Sequence, residues 1–369
     1  MQDRFQEEPQ EALKEEHGEE TFGEEARENE MLDTGVPSLA DNVRILSPGQ
    51  MVLKRFFRSK LSMVGLVTMI VLFLFSFVGP LFDFLPFVWG EQEADYSGGK
   101  VSILSQEVVY EVDGEQYICY YVSETQHTLN NEGPISPEHI LGTDQNGYDI
   151  FSRLMYGGRV SLTVGLVVIF LETILGVLLG GLAGYFGKWV DQIVMRIVDI
   201  FNCIPQWPIL LIISSMLSAN EVEDVAKLYI MMAMLTLLGW AGTARLVRGQ
   251  ILSLREQEFM TAADAIGLRT SRKIFRHLVP NVIPQLIVTM TLGLGGIILT
   301  EATLGFLGMG LPSSYATWGN MINAATTTEY LEHYPNMWVP AGVCIVLAVL
   351  AFNFIGDGLR DAFDPKSKR

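Results

Sequence analysis

The segment EQEFMTAADAIGLRTSRKIFRHLVPNVIPQ, which runs from Glu256 to Gln285, decides the fold of this 369-residue chain. It separates two strongly apolar stretches, Leu228–Trp240 and Leu286–Leu299, and each of these is typical of a membrane-spanning helix. The segment itself is polar and basic. We therefore expect it to lie outside the lipid, between two spans.

Two short helices are predicted within this segment. Good helix formers run from Glu256 to Leu268, and Gly267 suits the left-handed end of a helix. A second helix is predicted over Ser271–Leu278, with Pro280 near its end. Because a loop that only joins two spans is usually much shorter, this one is expected to have a function of its own.

The small residues of the first helix suggest contact with another protein. Ala262, Ala263 and Gly267 would let a second backbone approach closely, while Thr261 and Asp264 would keep the remaining surface polar. A helix that docks into a groove of a soluble partner fits this pattern. On composition alone, an ordinary helix at the membrane surface fits it equally well.

The composition is that of an integral membrane protein. Hydrophobic residues make up 49% of the chain, charged residues 18%, and the mean hydropathy is +0.28. A soluble protein usually carries about a quarter charged residues. The three cysteines lack metal-ligand spacing, and the sequence has no basic patch suited to nucleic acid. Neither a metal site nor a nucleic-acid partner is expected.

Six membrane spans are predicted from the apolar runs, which gives an all-α polytopic fold. The third run contains Pro205 and Pro208, so a kinked helix packed against its neighbours is expected there. The predicted spans are Leu61–Phe82, Leu162–Gly184, Ile197–Leu217, Lys227–Ala244, Leu286–Leu307 and Trp338–Gly356.

Positive charges are distributed unequally between the two sides of these spans. From Lys54 onward, seventeen lysine and arginine residues lie on the side that carries both termini, and four lie on the other side. Positive charge marks the cytoplasmic side of a membrane protein. Both termini are therefore expected in the cytoplasm.

Three regions precede the main transmembrane part. Residues 1–50 form an acidic tail, which is expected to be cytoplasmic and disordered because it has too few apolar residues for a core; a regulatory binding segment is the alternative. Residues 51–82 hold a basic flank and the first span. Residues 83–158 form an external insertion, with a β-hairpin around Asp113-Gly114 and an interfacial helix.

The stretch EFMTAADAIGLRTSRKIFRHLVPN resembles the EAA loop in membrane subunits of ATP-binding-cassette importers. The family pattern is Glu-Ala-Ala, three residues, Gly, nine residues, Ile, any residue, Leu-Pro. Here Thr261, His277 and Val279 replace the Glu, Ile and Leu, and the spacing is kept. The residues that this resemblance assigns to ATPase coupling are Thr261, Ala262, Ala263, Asp264, Gly267, His277 and Pro280.

Further stretches resemble the C-type permeases of the oligopeptide, dipeptide and nickel branch. They include HILGTDQNGYDIFSRLMYGGRVSLTVG, EATLGFLGMGLP and GDGLRDAFDPKSKR, and the resemblance covers about residues 45–82 and 139–369. It implies the type I importer permease fold, in a prokaryotic cell membrane. The permease domain would be 159–369, with a cytoplasmic coupling loop at 245–285.

The resemblance also implies that the chain is one subunit of a larger importer. The partners would be a homologous second permease, two ATPase subunits that bind ATP and Mg²⁺, an external peptide-binding protein, a peptide substrate and membrane lipid. The chain itself has no Gly-x-x-x-x-Gly-Lys-Ser/Thr sequence, so no cofactor is expected in it. No catalytic constellation is found, and the chain is not expected to be an enzyme.

Three polar residues within the spans are candidates for the translocation route. Glu172, Asn202 and Glu301 lie in apolar surroundings, and a carboxylate in the bilayer should face protein or water. They could line the route or its gate. Alternatively, each could form a structural hydrogen bond to a neighbouring helix.

The function expected from the sequence is a permease subunit of an importer for oligopeptides or dipeptides, with nickel as the alternative substrate. An ion-coupled secondary transporter that uses Glu172 and Glu301 as proton sites is a second hypothesis. It leaves the cytoplasmic loop unexplained, and the sequence shows no internal repeat. A receptor-like protein that works through its external insertion is a third.

Overall fold

Long helices dominate the computed structural model, which describes residues 48–82, 84–91, 93–112, 115–312 and 315–364. The chain divides into two units, residues 1–51 and 52–369. Almost all of the predicted acidic tail lies outside the described residues.

The described residues form twelve α-helices, some of which continue into short π-helical or 3-10 segments. The helices are α1 Pro48–Arg58, α2 Lys60–Phe73, α3 Ile150–Phe186, α4 Lys188–Cys203, α5 Gln206–Ala219, α6 Asp224–Arg255, α7 Glu258–Ala265, α8 Thr270–Arg272, α9 Val279–Phe306, α10 Trp318–Asn323, α11 Thr328–His333 and α12 Pro335–Phe363.

Five continuous helical segments within the described residues are long and apolar enough to cross a membrane. They are Lys60–Phe82, Ile150–Phe186, Asp224–Arg255, Thr270–Phe306 and Pro335–Phe363. The pair α4 and α5 would make a sixth span if it counts as one.

The third predicted span is two helices rather than one kinked helix. α4 and α5 meet at an angle of 72°. Ile204 adopts an extended conformation with φ −75° and ψ 121°, and Pro205 follows it. A proline disfavours the helical conformation of the residue before it, so Ile204 is where the helix must stop. The kink predicted within Ile197–Leu217 is therefore a complete break between two helices, and the two together can still make the third span.

Helix α3 begins earlier than the predicted second span. Asp149 caps it, because one of its carboxylate oxygens accepts a hydrogen bond of 2.7 Å from the backbone N–H of Ser152. The interfacial helix predicted before Leu162 is thus the first part of the same 37-residue helix.

Glycines let α3 pack closely against α6. Gly176, Gly180 and Gly184 recur every fourth residue on one face of α3. A Cβ at Gly176 would lie 2.6 Å from the Cβ of Thr243, and one at Gly184 would lie 2.9 Å from the carbonyl oxygen of Arg248. Small residues at this spacing are typical of helix contacts in membranes, where close packing replaces the hydrophobic effect.

The helix predicted over Ser271–Leu278 does not end near Pro280, as the sequence had suggested. The chain stays helical from Thr270 to Phe306, and Lys273–Leu278 forms a π-helical turn. An α-helix at Pro280 would set the proline ring against the carbonyl of Arg276 and lose a hydrogen bond. The wider π turn directly before Pro280 accommodates this, and the helix continues.

The insertion between α2 and α3 contains two strands. β1 Gly99–Val112 and β2 Glu115–Thr128 pair antiparallel, with Val112 opposite Glu115 and Gly99 opposite Thr128. Register irregularities occur near Leu104. The predicted turn residues Asp113 and Gly114 lie outside the described residues.

Candidate functional site

The candidate coupling segment is the stretch between α6 and α9. The predicted loop 245–285 is shorter than expected because α6 continues to Arg255. Only α7 and the turns on either side of it separate α6 from the next helical segment. The helix predicted over Glu256–Leu268 is α7, Glu258–Ala265, within a few residues at each end.

Met260 anchors α7 to the rest of the chain. Its side chain is 1% exposed and belongs to an apolar cluster with residues from the end of α6 and the start of α9. Complete burial of a methionine side chain contributes about 1.5–3 kcal/mol. The other buried members of the cluster are Val247, Ile251, Leu278, Val282 and Leu286.

Ala263 lies on the same inner side and is 4% exposed. The sequence had placed it among the small residues that a partner would approach, but its own chain covers it. Ala262 and Thr261 are exposed. Of the predicted coupling alanines, only Ala262 is free to meet a partner directly.

Gly267 ends the helix in a left-handed conformation, with φ +70°, as predicted. The backbone N–H of Leu268 donates to the carbonyl of Ala263 at 3.1 Å, and that of Gly267 donates to the carbonyl of Asp264 at 3.0 Å. These two bonds form a Schellman motif. A Cβ at Gly267 would meet nothing within 4 Å. Glycine is therefore required here for its backbone conformation rather than for space.

An apolar stripe, which we call the coupling face, lies on the outer side of α7. It consists of Phe259, Ala262 and Ile266, spaced three and four residues apart, and Phe259 and Ile266 are 38% and 73% exposed. Phe275 on the following π turn is 64% exposed. Asp264 forms an ion pair with Lys273, which ties the end of α7 to that turn.

The remaining two predicted coupling residues lie at the start of the next span. His277 is half-buried, and its carbonyl oxygen accepts a hydrogen bond of 2.6 Å from the side-chain amide of Asn281. Pro280 is exposed. His277 lies within the π turn and Pro280 just after it, so neither is on α7.

Glu172 lies in the packed contact between α3 and α6. It is 9% exposed, and a Cβ at Gly239 would overlap its carboxylate. Among the described residues, no side chain donates a hydrogen bond to it. Glu172 occupies the same face of α3 as Gly176, Gly180 and Gly184, one turn before Gly176.

Glu301 on α9 is held by two hydroxyl groups. Ser161 Oγ donates to its Oε2 at 2.9 Å, and Thr317 is a second hydrogen-bond partner. Both hydroxyl oxygens in turn accept backbone N–H groups at the start of α10. The N–H of Trp318 lies 3.3 Å from Ser161 Oγ, and that of Asn320 lies 3.0 Å from Thr317 Oγ1.

The structure does not bring the three polar candidates together. Ser161, which contacts Glu301, and Glu172 are eleven residues apart on α3, or about 16 Å along the helix axis. Asn202 lies on α4, and its amide donates to the carbonyl of Val198 in the same helix at 2.7 Å. Asn202 therefore satisfies its own helix, while Glu301 alone has partners on other elements.

A buried cluster that the sequence did not indicate surrounds His139. Its Nδ1 lies 2.9 Å from Asp149 Oδ2 and its Nε2 lies 3.2 Å from Asp95 Oδ2, while its ring stacks on Trp89. Asp95 also accepts a hydrogen bond of 2.7 Å from Asn130. The cluster joins the segment before β1, the segment after β2 and the cap of α3.

Hydrogen bonds set the charge state of Asp95. Burial is the largest single effect and raises its pKa, but hydrogen bonds from Asn130, Ser97 and His139 together outweigh it, so the pKa is lowered below its ordinary value. The folded segment therefore favours the ionised carboxylate form of Asp95. In sequence, His139 is separated from Asp95 by 44 residues, and no local motif signals the contact.

Comparison with known protein families assigns most of the chain. Residues 176–369 match the family "Binding-protein-dependent transport system inner membrane component". Residues 47–94 match "N-terminal TM domain of oligopeptide transport permease C".

Individual relatives match over most of their length. The oligopeptide transport system permease protein OppC of Bacillus subtilis is 35% identical over 317 residues, which are 85% of this chain and 88% of the relative. The dipeptide transport system permease protein DppC of the same organism is 33% identical over 332 residues, 89% of this chain and 90% of the relative. The DppC of Alkalihalophilus pseudofirmus is 42% identical over 246 residues, 67% of this chain and 78% of the relative.

Proposed function

Since the chain belongs to the family of binding-protein-dependent transport system inner membrane components, in its oligopeptide and dipeptide permease branch, we propose that it carries oligopeptides or dipeptides into a prokaryotic cell. The names of its relatives favour peptides over nickel as the substrate. The family is one of membrane permease subunits and not of enzymes. Membership of it does not support an ion-coupled secondary transporter.

The partners follow from this assignment. A homologous second permease would complete the membrane part, and two ATPase subunits would bind ATP and Mg²⁺ and hydrolyse the nucleotide. An external binding protein would deliver the peptide. Coupling between these sites must be reciprocal, so delivery of peptide outside should promote engagement of the ATPases inside.

The exposed coupling face of α7 supports the proposal that an ATPase subunit docks there. A short helix, anchored by Met260 on one side, leaves Phe259, Ala262 and Ile266 uncovered on the other. Exposed apolar side chains that recur at helical spacing suit an apolar groove of another protein. We propose that an ATPase subunit provides this groove. Ala263, Asp264 and Gly267 would then hold α7 in position, and His277 and Pro280 would form the start of the span that it moves.

The proposed orientation places both termini and α7 in the cytoplasm. Its support is the excess of lysine and arginine residues on that side. Residues 1–50 would then be a cytoplasmic tail, and residues 83–158 would be an external insertion next to the binding protein. Residues 159–369 would form the permease domain proper.

A substitution on the coupling face tests the proposal. Ile266 is largely exposed, so Ile266→Asp should leave the chain folded and inserted. We expect it to abolish copurification with the ATPase subunits and uptake of labelled dipeptide. Ile266→Val is the matched control and should retain both. Full ATPase binding and uptake by Ile266→Asp would show that α7 does not dock there.

A further inference from the structure

A cavity lies beside Glu301, between the first turns of α6, the end of α9 and the segment that follows α9. Its volume is about 30 Å³, and it is partly open on one side. Apart from Glu301, the residues that line it are apolar, and they include Val164, Leu228, Met231 and Met232. A cavity of this size accepts one small group, such as an ammonium, beside the single polar side chain.

The carboxyl group of Glu301 is held in place by the protein but can still accept hydrogen bonds from a ligand. A carboxylate has about four acceptor positions. Among the described residues, Ser161 and Thr317 use two of them. Because both hydroxyls are fixed by backbone N–H groups of Trp318 and Asn320, the carboxyl group cannot turn freely. The remaining acceptor positions suit a single cationic donor.

The cation that fits is an ammonium group rather than a metal ion. The described residues contain no cluster of three His, Cys, Asp or Glu side chains that could ligate a metal. A –NH₃⁺ group offers three donors and needs one carboxylate partner. Glu172, the other carboxylate proposed for the translocation route, faces Gly239 in a closed helix contact and does not line this cavity.

The apolar wall explains how such a site would accept many sequences. Every peptide with a free N-terminus carries the same ammonium group, while its side chains vary. Met231 and Met232 are flexible and polarisable, and methionine adapts to ligands of different shape. A fixed carboxylate in this cavity therefore recognises the constant ammonium group, and the variable side chains need not enter the cavity.

We propose that Glu301 binds the N-terminal ammonium group of the peptide during translocation, in the cavity that Met231 and Met232 line. This inference rests on the proposed peptide import. It adds a ligand subsite within the membrane part of the chain, distinct from any selection made by the external binding protein.

The test compares a dipeptide with a free N-terminus and the same dipeptide N-acetylated, in vesicles that contain the complete importer. The acetylated compound is chosen among those that the binding protein retains. Because the binding protein is the same in every sample, a change in the ratio of the two uptake rates reports on the permease. We expect Glu301→Gln to lower the ratio of free to acetylated uptake about tenfold. Glu172→Gln is the matched control and should leave the ratio as in the unsubstituted importer.

Equal loss of both uptake rates in Glu301→Gln, with an unchanged ratio, would assign Glu301 a purely structural role and overturn the inference. It would leave the proposed peptide import intact. Failure of the unsubstituted importer to take up either dipeptide would overturn the proposed import itself.

A second measurement serves if the binding protein accepts no acetylated peptide. A free-amine dipeptide with a benzophenone side chain is photolysed during turnover, and its adducts are mapped by mass spectrometry. We expect adducts on Met231 or Met232 that disappear in Glu301→Gln. Uptake of this probe without adducts on either methionine would show that the peptide does not occupy the cavity.

Discussion

Gly180 on α3 lies so close to the carbonyl of Ala244 on α6 that no side-chain carbon fits between them. The same carbonyl is part of the helix that leads directly to the coupling segment. Close contact between α3 and α6, the two longest α-helices of the described residues, therefore requires a glycine at position 180.

Substitution at Gly180 should separate the two helices. We expect Gly180→Ala to destabilise the purified chain by about 1–3 kcal/mol, because a Cβ must displace the backbone of α6. Thermal unfolding in detergent measures this. Gly242 on α6 is the matched control, since a Cβ there would meet nothing within 4 Å. Gly242→Ala should be neutral or stabilising by up to about 1 kcal/mol. Equal destabilisation by the two substitutions would contradict the close packing.

At position 267, asparagine should be tolerated better than alanine, although it is the larger residue. Its φ of +70° disfavours alanine by about 1–2 kcal/mol, whereas asparagine adopts this conformation more readily. Space is not the constraint, because nothing lies within 4 Å of a Cβ. We expect peptide-stimulated ATP hydrolysis by the assembled importer to fall in the order Gly267, Gly267→Asn, Gly267→Ala. An order that follows side-chain size instead would show that a partner closes on this position.

Met260→Ala should loosen α7 without unfolding the spans. Removal of a fully buried methionine side chain costs about 2–5 kcal/mol. Because the cluster also contains Leu278 and Val282, the loss should fall on the contact between α7 and α9. Hydrogen exchange of Glu258–Ala265 measures it and should increase strongly. Phe259→Ala, at the exposed neighbour, should leave exchange in the free chain unchanged. Protection of α7 in Met260→Ala equal to that in the parent chain would contradict the anchoring role.

The segment between α2 and α3 should become unstable in acid. The pKa of Asp95 in the folded chain is below its ordinary value of 3.8. A lowered pKa contributes stability that is fully present above the ordinary value and is lost as the pH falls through the folded value. We therefore expect the melting temperature to fall below about pH 4.

Asn130→Ala removes the largest hydrogen-bond contribution to this lowered pKa. The acid transition should then move to higher pH and the gain in stability at neutral pH should shrink. Asp95→Asn should be less stable at neutral pH and should lack this part of the acid dependence. Identical pH profiles for all three proteins would show that Asp95 does not contribute.

Hydropathy predicted most of the spans because it depends on local composition. The apolar runs at Leu61–Phe82 and Trp338–Gly356 each fall within a single long helical segment. The break at Pro205 was not predicted as a break, because a proline within a span can be tolerated by neighbouring helices. Only the geometry of Ile204 decides between a kink and two helices.

The site was predicted less completely because its contacts are not local. Gly267 was predicted correctly, since glycine after a helix has a specific backbone role. The inward position of Ala263 was not, because an eight-residue helix can turn its alanines either toward its own chain or toward a partner. The hydrogen bond from Ser161 to Glu301 joins residues 140 positions apart, and no spacing in the sequence signals it.

The continuous helix from Thr270 to Phe306 has a mechanical consequence. It begins two residues after the Schellman turn of α7 and carries Glu301 near its other end, about 46 Å along the helix from Thr270. Between Thr270 and Glu301 the chain stays helical, and the π turn at Lys273–Leu278 is the principal irregularity along the way. We expect a displacement of α7 by an ATPase subunit to tilt the end of this helix that carries Glu301. Nucleotide-driven movement and peptide binding at Glu301 would then change together.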